Sequence, residues 1–310
     1  MGEAASADPL IPVVQEDNFM KLVTFVRNGS ERLGALQSGG GDEWVIDLNQ
    51  ADSRLPANMI EFLQGGAEAQ ALARKALAAA KPGQRQASST VTLKAPIPWP
   101  GKIIAIGQNY LEHAKESGAS KPPFPIIFAK YANAVIGPGE AIVIPAAVSK
   151  PDYEGELAVV IGRRGRNIPE AQALSYVAGY MALNDVSARD WQNRTSQWVI
   201  GKTCDTFCPM GPALVTADEV PDPQNLHLRT VIGEEVLQIG FTGDMIFSVA
   251  HLIADMSQVM TLEPGDVIAT GTPPGIGAAR TPPRWLRPGD VIRIEIDGVG
   301  VLANPVIAES

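Results

Sequence analysis

The sequence predicts an α+β protein that is mainly β: a sandwich-like or barrel-like β domain with a few helices, preceded by a small N-terminal α/β domain. Two observations predict this fold. Short apolar runs separated by Gly/Pro turns dominate the chain after Gly101, as they do in sandwiches and barrels. The region before it combines strand-like alternation with one long helical pattern, and Pro96, Pro98 and Pro100 separate the two regions.

The N-terminal region contains, in order, a leader, strands and a helix. Residues 1–17 are small and polar and predict a flexible leader, and residues 18–96 predict the small domain. Within it, residues 21–48 alternate between apolar and polar as strands do, interrupted by glycine turns. Residues 58–80 place apolar side chains at helical spacing and stop at a Pro-Gly pair.

The larger region, residues 97–310, is predicted to form one β-rich domain. Its clearest helical pattern covers residues 247–260. Its strand-like runs are bounded by Gly-Pro and Pro-Gly-Asp turns, which are typical of β-rich domains. These runs are residues 103–106, 126–128, 141–144, 157–161, 213–215, 267–270 and 291–296.

Composition limits the partners and the location. The 310 residues carry a net charge of −9, which argues against a nucleic-acid partner, since such a partner requires a basic face. No stretch of about 18 apolar residues lacks charges, so we expect no membrane span. Cys204 and Cys208 lack the spacing of a redox or zinc pair, and no basic residue precedes Lys21. We therefore expect a cytoplasmic protein with reduced thiols.

The most informative pattern is a pair of glutamates that leads into an apolar strand. Alternate side chains of a strand share one face, so Glu154 and Glu156 project together with Cα atoms about 6.6 Å apart. Two buried carboxylates are costly unless a cation lies between them, and Mg²⁺ prefers such oxygen ligands. The alternative is an exposed strand end with solvated glutamates, and this segment alone favours it.

A second acidic segment follows a predicted strand at residues 176–183. We predict that Asp185 begins a helix, which would place Asp185, Arg189 and Gln192 on one face. On that face, Asp185 could bind a metal, Arg189 could bind an anion in a bidentate manner, and Gln192 offers an amide. An N-cap aspartate beside a surface arginine explains this segment equally well.

Three other segments contain candidate site residues. His113 and Glu116 are three residues apart on a predicted short helix, so Glu116 can orient the imidazole as a base; an exposed amphipathic helix is the alternative. Lys202 lies before a turn, from which it can point into a pocket. Thr272 lies in a rigid Gly/Pro-rich loop whose N–H groups and hydroxyl suit a carboxylate, although a plain tight turn is the commoner meaning of such a loop.

Together, and in this order, these motifs resemble the fumarylacetoacetate hydrolase family. The resemblance is strong over residues 97–310, which would form the family's catalytic domain, and it extends through the smaller N-terminal domain. It implies the family's mixed β-sandwich roll or barrel and a homodimer. Trp191-Gln192, Gln197-Trp198 and the segment 201–209 point to one branch of the family. The motifs that carry the resemblance are Ile106-Gly107-Gln108-Asn109-Tyr110 with His113 and Glu116, Glu154-Gly155-Glu156, Asn184-Asp185-Val186-Ser187-Ala188-Arg189-Asp190, and Thr270-Gly271-Thr272-Pro273.

The resemblance also implies a divalent metal cofactor, Mg²⁺ or alternatively Mn²⁺, and a role for each matching residue. Three carboxylates leave coordination positions for water and for a chelating 2-oxo acid. The implied metal ligands are Glu154, Glu156 and Asp185; the implied catalytic residues are His113, Glu116 and Lys202; and the implied substrate-binding residues are Arg189, Gln192 and Thr272.

Family members act on β-keto acids, β-diketo acids and their enols, so we expect a small 2-oxo acid as substrate. Gln108 stands where acylpyruvase relatives carry arginine, which favours keto–enol tautomerisation of oxaloacetate. The alternatives are a C–C bond hydrolase or decarboxylase of acylpyruvate, fumarylacetoacetate or oxaloacetate, and an isomerase of 2-hydroxyhepta-2,4-diene-1,7-dioate. A non-catalytic binder stabilised by a metal is disfavoured, because a purely structural metal needs no base such as His113.

Overall fold

A computed structural model describes residues 20–39 and 42–310. The predicted leader, residues 1–17, lies outside the described residues. In the part of the chain that the structure describes, no helix has the length and apolar character needed to cross a membrane. The α-helices are α1 (Leu48–Ala51), α2 (Met59–Gln64), α3 (Gly66–Ala78), α4 (Leu111–Glu116), α5 (Arg189–Gln192), α6 (Val199–Lys202) and α7 (Val249–Ser257).

Strands make up most of the regular structure, as the sequence predicts. In chain order they are β1 (Lys21–Arg27), β2 (Ser30–Gly39), β3 (Asp42–Asp47), β4 (Arg85–Ala87), β5 (Thr92–Lys94), β6 (Ile103–Gly107), β7 (Ile126–Lys130), β8 (Val135–Ile136), β9 (Ile142–Ile144), β10 (Pro151–Asp152), β11 (Gly155–Ile161), β12 (Val177–Asn184), β13 (Ser187–Ala188), β14 (Cys208–Thr216), β15 (His227–Ile232), β16 (Glu235–Phe241), β17 (Val267–Ala269), β18 (Val291–Ile296) and β19 (Gly300–Ala308).

The strands form one large mixed sheet and two smaller sheets. The large sheet has the order β4-β3-β2-β1-β14-β12-β11-β17-β6-β7, with β5 beside β1 and β8 beside β14. A five-stranded sheet, β16-β15-β18-β19-β9, contacts β11 and β12, and apolar side chains from both sheets share one core. The large sheet ends at β4 and β7, so within the described ranges it is not a closed barrel. The predicted mainly β fold with few helices is confirmed.

The N-terminal strands extend the large sheet, because β1 pairs with β14 at Lys21–Val215 and Leu22–Leu214. The division into residues 18–96 and 97–310 stays a prediction, since this sheet contains strands from both ranges. The predicted helix over residues 58–80 is divided into α2 and α3. The division falls at Gly65, and Gly66, the first residue of α3, has a left-handed φ of 54° that favours glycine.

The register of the large sheet brings four chain segments to one edge. Strand β11 lies between its antiparallel neighbours β12 and β17, and β17 is parallel to β6. The carboxyl ends of β6, β12 and β17 therefore lie beside the start of β11. All residues of β11 are buried, and a Cβ atom at Gly155 would lie 2.2 Å from Thr230 Oγ1. Only glycine fits between the two glutamates where β11 packs on β15.

The prediction that Asp185 begins a helix is wrong. The N–H of Asp185 donates to the carbonyl of Glu154 at 2.8 Å, which continues the pairing between β11 and β12. Strand β13 then pairs with β10, and α5 begins only at Arg189. The extended backbone is favoured here because β10, a segment more than 30 residues earlier, supplies its hydrogen-bond partners.

Candidate active site at one edge of the large sheet

A cavity of about 320 Å³ opens at the edge where β6, β12 and β17 end. It brings together most of the residues that the sequence singles out, although these lie on five separate segments of the chain. The predicted residues that line it are His113, Glu116, Glu154, Arg189, Gln192, Lys202 and Thr272.

The three predicted metal ligands form one buried acidic cluster beside this cavity. Glu154, Glu156 and Asp185 each offer a carboxylate oxygen, and these oxygens lie within 4.8 Å of one another. The side chains come from the start of β11 and from the residue after β12. All three residues are at most 6% exposed, so the alternative of solvated glutamates at a strand end is wrong. Asp185 is fully buried, so it is also not a surface N-cap.

Lys202, at the end of α6, neutralises part of this cluster. Its ammonium donates to Glu154 Oε2 at 2.8 Å and to Asp185 Oδ2 at 2.6 Å. Lys202 is 2% exposed and lines the cavity. It therefore contacts two of the three acidic residues from the cavity side.

A second buried lysine, Lys130 at the end of β7, was missed by the sequence analysis. Its ammonium donates to Asp185 Oδ1 at 2.7 Å and to the backbone carbonyls of Val186 and Lys202. A signal was present in the sequence: Lys130 shares the alternation of Ile126 and Phe128, which places it on the inward face of β7. A lone lysine in line with apolar side chains indicates a buried anionic partner.

The two glutamates of the cluster have opposite pKa shifts. Burial raises the pKa of Glu154, but the positive charges of Lys202 and Arg189 outweigh burial and lower the pKa below its ordinary value. Burial also raises the pKa of Glu156, and the negative charges of Asp185 and Glu154 raise it further. The N–H of Gly271, which donates to Glu156 Oε2 at 2.8 Å, opposes this only in part. A dication would remove the excess negative charge at Glu156.

Arg189, the first residue of α5, is shared among three side chains. Its Nε donates to Asp152 Oδ2 at 2.8 Å, and its Nη1 donates to Gln192 Oε1 at 3.0 Å. Its Nη2 lies 2.7 Å from Glu154 Oε1 without the angle of a hydrogen bond, so this contact is an ion pair. The contact between α5 and α6 depends on Gly201, where a Cβ atom would lie 2.4 Å from the Gln192 nitrogen.

His113 and Glu116 form the predicted pair on α4. His113 Nδ1 lies 2.8 Å from Glu116 Oε1, and His113 is 6% exposed, so the alternative of an exposed amphipathic helix is wrong for this residue. The N–H of Gly275 donates to Glu116 Oε2 at 2.9 Å. In the tautomer with a proton on Nδ1, the imidazole donates to Glu116, and Nε2 is then the nitrogen that can accept a proton.

The loop after β17 uses its backbone N–H groups mainly to hold carboxylates of the protein itself. The N–H of Gly271 donates to Glu156, that of Gly275 to Glu116, and those of Gly277 and Ala278 to Asp152. Asp152 and the loop are thus connected in a way that the sequence did not indicate, because more than 120 residues separate the partners.

Thr272 lines the cavity, but its hydroxyl already has two partners. The hydroxyl donates to the carbonyl of Gly155 at 2.8 Å and accepts from Gln238 Nε2 at 2.8 Å. Gln238 was not predicted, and it also accepts a hydrogen bond from the Gly155 N–H. Thr272 therefore fixes the loop to the glutamate strand, and its contact with a substrate carboxylate stays a prediction.

One wall of the cavity is aromatic. Phe128 and Trp198 meet edge to face with ring centroids 5.6 Å apart, and Lys202 Nζ lies 5.0 Å from the Phe128 centroid. A Cβ atom at Gly107 would lie 2.4 Å from the Trp198 ring, so only glycine lets the indole pack on the end of β6. This wall limits the space beside the lysine.

The chain belongs to the fumarylacetoacetate hydrolase family. The model of the fumarylacetoacetate (FAA) hydrolase C-terminal family matches residues 102–307. The human protein named oxaloacetate tautomerase FAHD2B, mitochondrial, is 47% identical over 272 residues, which cover 87% of this chain and 85% of the relative. The branch that Trp191-Gln192 and the segment 201–209 predict, fumarylacetoacetate hydrolase domain-containing protein 2, is thereby confirmed, as is the prediction of a family enzyme.

Solved structures agree with this assignment. A putative HpcE protein from Mycobacterium smegmatis superposes with a TM-score of 0.83 at 39% identity, over 94% of this chain and 100% of that chain. Maleylpyruvate hydrolase from Sphingobium sp. SYK-6, in complex with manganese(II) and pyruvate, superposes with a TM-score of 0.77 at 34% identity, with the same coverage. The second protein supports a divalent metal in this fold.

The prediction of a cytoplasmic location is wrong. The human relative is named as a mitochondrial protein, and so is the Xenopus laevis relative, which is 46% identical over 293 residues. The prediction relied on acidic composition, on two unpaired cysteines and on the residues before Lys21. Charge and cysteine spacing describe the folded enzyme and carry no information about the compartment to which it is delivered.

Proposed function

We propose that this chain is a metal-dependent oxaloacetate keto–enol tautomerase, with Mg²⁺ or Mn²⁺ held by Glu154, Glu156 and Asp185. The observation that carries the proposal is the buried acidic cluster beside a cavity that also contains the His113–Glu116 pair. The human relative named as an oxaloacetate tautomerase supports the substrate. Gln108, on which the preference for tautomerisation rests, lines the cavity.

The donor set fits a hard dication. All three ligands are carboxylates, and Mg²⁺ and Mn²⁺ both prefer oxygen. Around the cluster, four buried carboxylates face three buried cations, so that with every carboxylate ionised a dication would change the formal net charge of these seven side chains from −1 to +1. A positive site suits a dicarboxylate substrate. The buried carboxylates are Asp152, Glu154, Glu156 and Asp185, and the cations are Lys130, Lys202 and Arg189.

The residues of the chain bind the substrate and move the proton. When bound, the divalent ion supplies a Lewis acid that stabilises negative charge on the 2-oxo oxygen. Lys202 adds a second positive charge near that oxygen, and Arg189 with Gln192 and the Thr272 loop binds a carboxylate.

His113 is the proposed base. Its Nε2 takes a proton from C3 of the keto form, and a proton returns to the oxygen on C2, so that the enol forms without loss of atoms. Glu116 stabilises the imidazolium through its contact with Nδ1, and Gly275 holds Glu116 in place.

The test is the decay of enol-oxaloacetate, followed by its ultraviolet absorbance. We expect the protein with Mg²⁺ to accelerate ketonisation well above the rate with Mg²⁺ alone, and we expect EDTA to remove the difference. A rate equal to that of Mg²⁺ alone would contradict the proposal. Repeating the decay assay with Mn²⁺ in place of Mg²⁺ shows which ion supports the higher rate.

Hydrolysis of a C–C bond is the second candidate function. It is favoured by the His113–Glu116 pair, which is equally able to activate a water molecule. The maleylpyruvate hydrolase with bound pyruvate supports this chemistry in the same fold. Release of pyruvate from acetylpyruvate, measured with lactate dehydrogenase, would favour the hydrolase if it were faster than the decay of enol-oxaloacetate.

We also propose that the enzyme is a homodimer, as the family resemblance implies. Light scattering after size exclusion should then give twice the 32.8 kDa of one chain. A mass of one chain at micromolar concentration would contradict this.

A further inference from the structure

We propose that Asp152 is a positioning residue for metal binding: it holds the guanidinium of Arg189 so that only Nη2 contacts Glu154, and thereby prevents a two-pronged arginine pair that would exclude the cation. The inference rests on the proposed metal site. It concerns a carboxylate that belongs neither to the acidic cluster nor to the lining of the cavity.

Asp152 lies in a cradle built around its carboxylate. The residue is fully buried, and its Oδ1 accepts from the Gly277 N–H at 2.7 Å, while its Oδ2 accepts from the Ala278 N–H at 3.0 Å. A Cβ atom at Gly277 would lie 2.5 Å from Oδ1, so the loop fits closely around this oxygen. Since the loop fixes both oxygens, Asp152 cannot follow Arg189, and Arg189 must adapt to Asp152.

Arg189 is a single cation between two carboxylates. Its Nε makes a well-directed hydrogen bond to Asp152 Oδ2 at 2.8 Å, whereas its Nη2 contacts Glu154 Oε1 at 2.7 Å without hydrogen-bond geometry. The orientation of the guanidinium is therefore set by Asp152. Glu154 receives part of its charge but no directed hydrogen bond from it.

The consequence concerns competition for Glu154. An arginine that is free to turn forms a two-pronged, charge-assisted pair with a carboxylate, which is among the stronger polar contacts in proteins. Such a pair would occupy the Glu154 oxygens that a dication needs. By holding Nε, Asp152 prevents this pair, so that the metal competes with Lys202 and with a single Nη2 contact instead of two arginine contacts.

The experiment is a double-mutant cycle with metal affinity as the readout. Asp152→Asn keeps the shape and one acceptor oxygen but removes the charge. With MnCl₂ and MgCl₂ as probes in titration calorimetry, we expect D152N to weaken binding by about tenfold in the wild-type protein. In the Arg189→Gln background, we expect the same change to alter the affinity by less than about twofold, because no guanidinium is left to compete.

Activity gives an independent readout. In D152N, the metal concentration for half-maximal rate should rise in parallel with the dissociation constant, while kcat at saturating metal stays within about threefold of wild type. A merely structural role would lower kcat or stability without shifting the metal requirement.

Asp290→Asn is the matched control. Asp290 accepts from Arg284 at 2.8 Å, an arginine–carboxylate pair at the far end of the same loop, and it does not line the cavity. This variant should lower the melting temperature and leave metal affinity unchanged. If D152N does not fold, Asp152→Ser, which also removes the charge and keeps a hydroxyl acceptor, carries the same expectations.

The outcomes separate this inference from the proposed function. A tenfold loss in both backgrounds would mean that the charge of Asp152 acts directly on the metal, and no loss in the wild-type background would mean that it does not act at all; either result overturns the inference. If the wild-type protein binds neither ion, the proposed function itself fails.

Discussion

The two sides of the cavity are built in different ways. On the strand side, Glu154, Glu156 and Asp185 extend from paired strands of the large sheet; buried lysines contact Glu154 and Asp185, and the N–H of Gly271 donates to Glu156. On the loop side, His113 and Glu116 extend from the short helix α4, where the N–H of Gly275 donates to Glu116 and Asn109, just before the helix, donates to the carbonyl of Thr270. Strand pairing and buried ion pairs thus hold the acidic cluster, whereas hydrogen bonds between the α4 region and the loop after β17 hold the proposed base.

Replacing the base tests the loop side and should have the largest effect. His113→Ala removes Nε2, the proposed acceptor of the C3 proton, so kcat for enol-oxaloacetate should fall by about 100-fold or more. Metal affinity should stay the same, because the strand side is intact. Equal activity of the variant and the wild type would favour the non-catalytic binder.

Replacing a ligand tests the strand side. Glu156→Gln should weaken the binding of Mg²⁺ by about tenfold or more, since it removes a charged ligand from the cluster. Titration calorimetry measures this directly. Glu263→Gln, which affects an exposed pair with Arg164, is the control and should bind metal as the wild type does. Unchanged affinity in E156Q would rule out Glu156 as a ligand.

The raised pKa of Glu156 predicts how the strand side responds to pH. In the metal-free protein, Glu156 keeps its proton above the ordinary pKa of a glutamate, so metal binding must release that proton. Metal affinity should therefore fall by up to about tenfold per pH unit as the pH drops below the raised pKa.

The stability of the metal-free protein should change with pH in the opposite direction to the metal affinity: it should fall as the pH rises. Because the folded state binds the Glu156 proton more tightly than the unfolded state does, this contribution to stability is present below the unfolded pKa and is lost as the pH rises through the folded pKa. The difference between the melting temperatures in MgCl₂ and in EDTA should thus grow as the pH increases. A difference that is the same at every pH would contradict the proton release, and in E156Q the growth of this difference with pH should disappear.

Weakening the contact between α4 and its loop should have the smallest effect. Glu116→Gln keeps an oxygen for the Gly275 N–H but removes the charge that stabilises the imidazolium of His113. We expect kcat to fall by about two- to tenfold, the value of one hydrogen bond. A kcat equal to that of the wild type would mean that Glu116 does not act through His113.

The sequence predicted the strand side better than the loop side, and the reason is the range of the contacts. Glu154 and Glu156 follow from the two-residue period of a strand, which is local information. The helix predicted at Asp185 was wrong because β10 pairs with β13 from a distant segment. Lys130 was missed because it contacts Asp185 across 55 residues.

The loop side depends on still longer separations. Glu116 and Gly275 are 159 residues apart, and Asp152 and Gly277 are 125 residues apart. A rigid Gly/Pro-rich loop can be predicted from its composition, but the carboxylates that its N–H groups bind cannot. The sequence motifs identify most residues of the site, but the contacts between these residues depend on the fold.

Trp198, in the aromatic wall, is an intrinsic fluorescent probe of the cavity. The indole of Trp198 lies against the edge of Phe128 and borders the same space as Lys202, so a ligand that enters this space changes the polarity around a fluorophore. Titration with oxalate should alter the emission of the wild-type protein and leave that of Trp198→Phe nearly constant, which separates this signal from the other four tryptophans of the chain. Ligand entry could then be timed by stopped flow without any label.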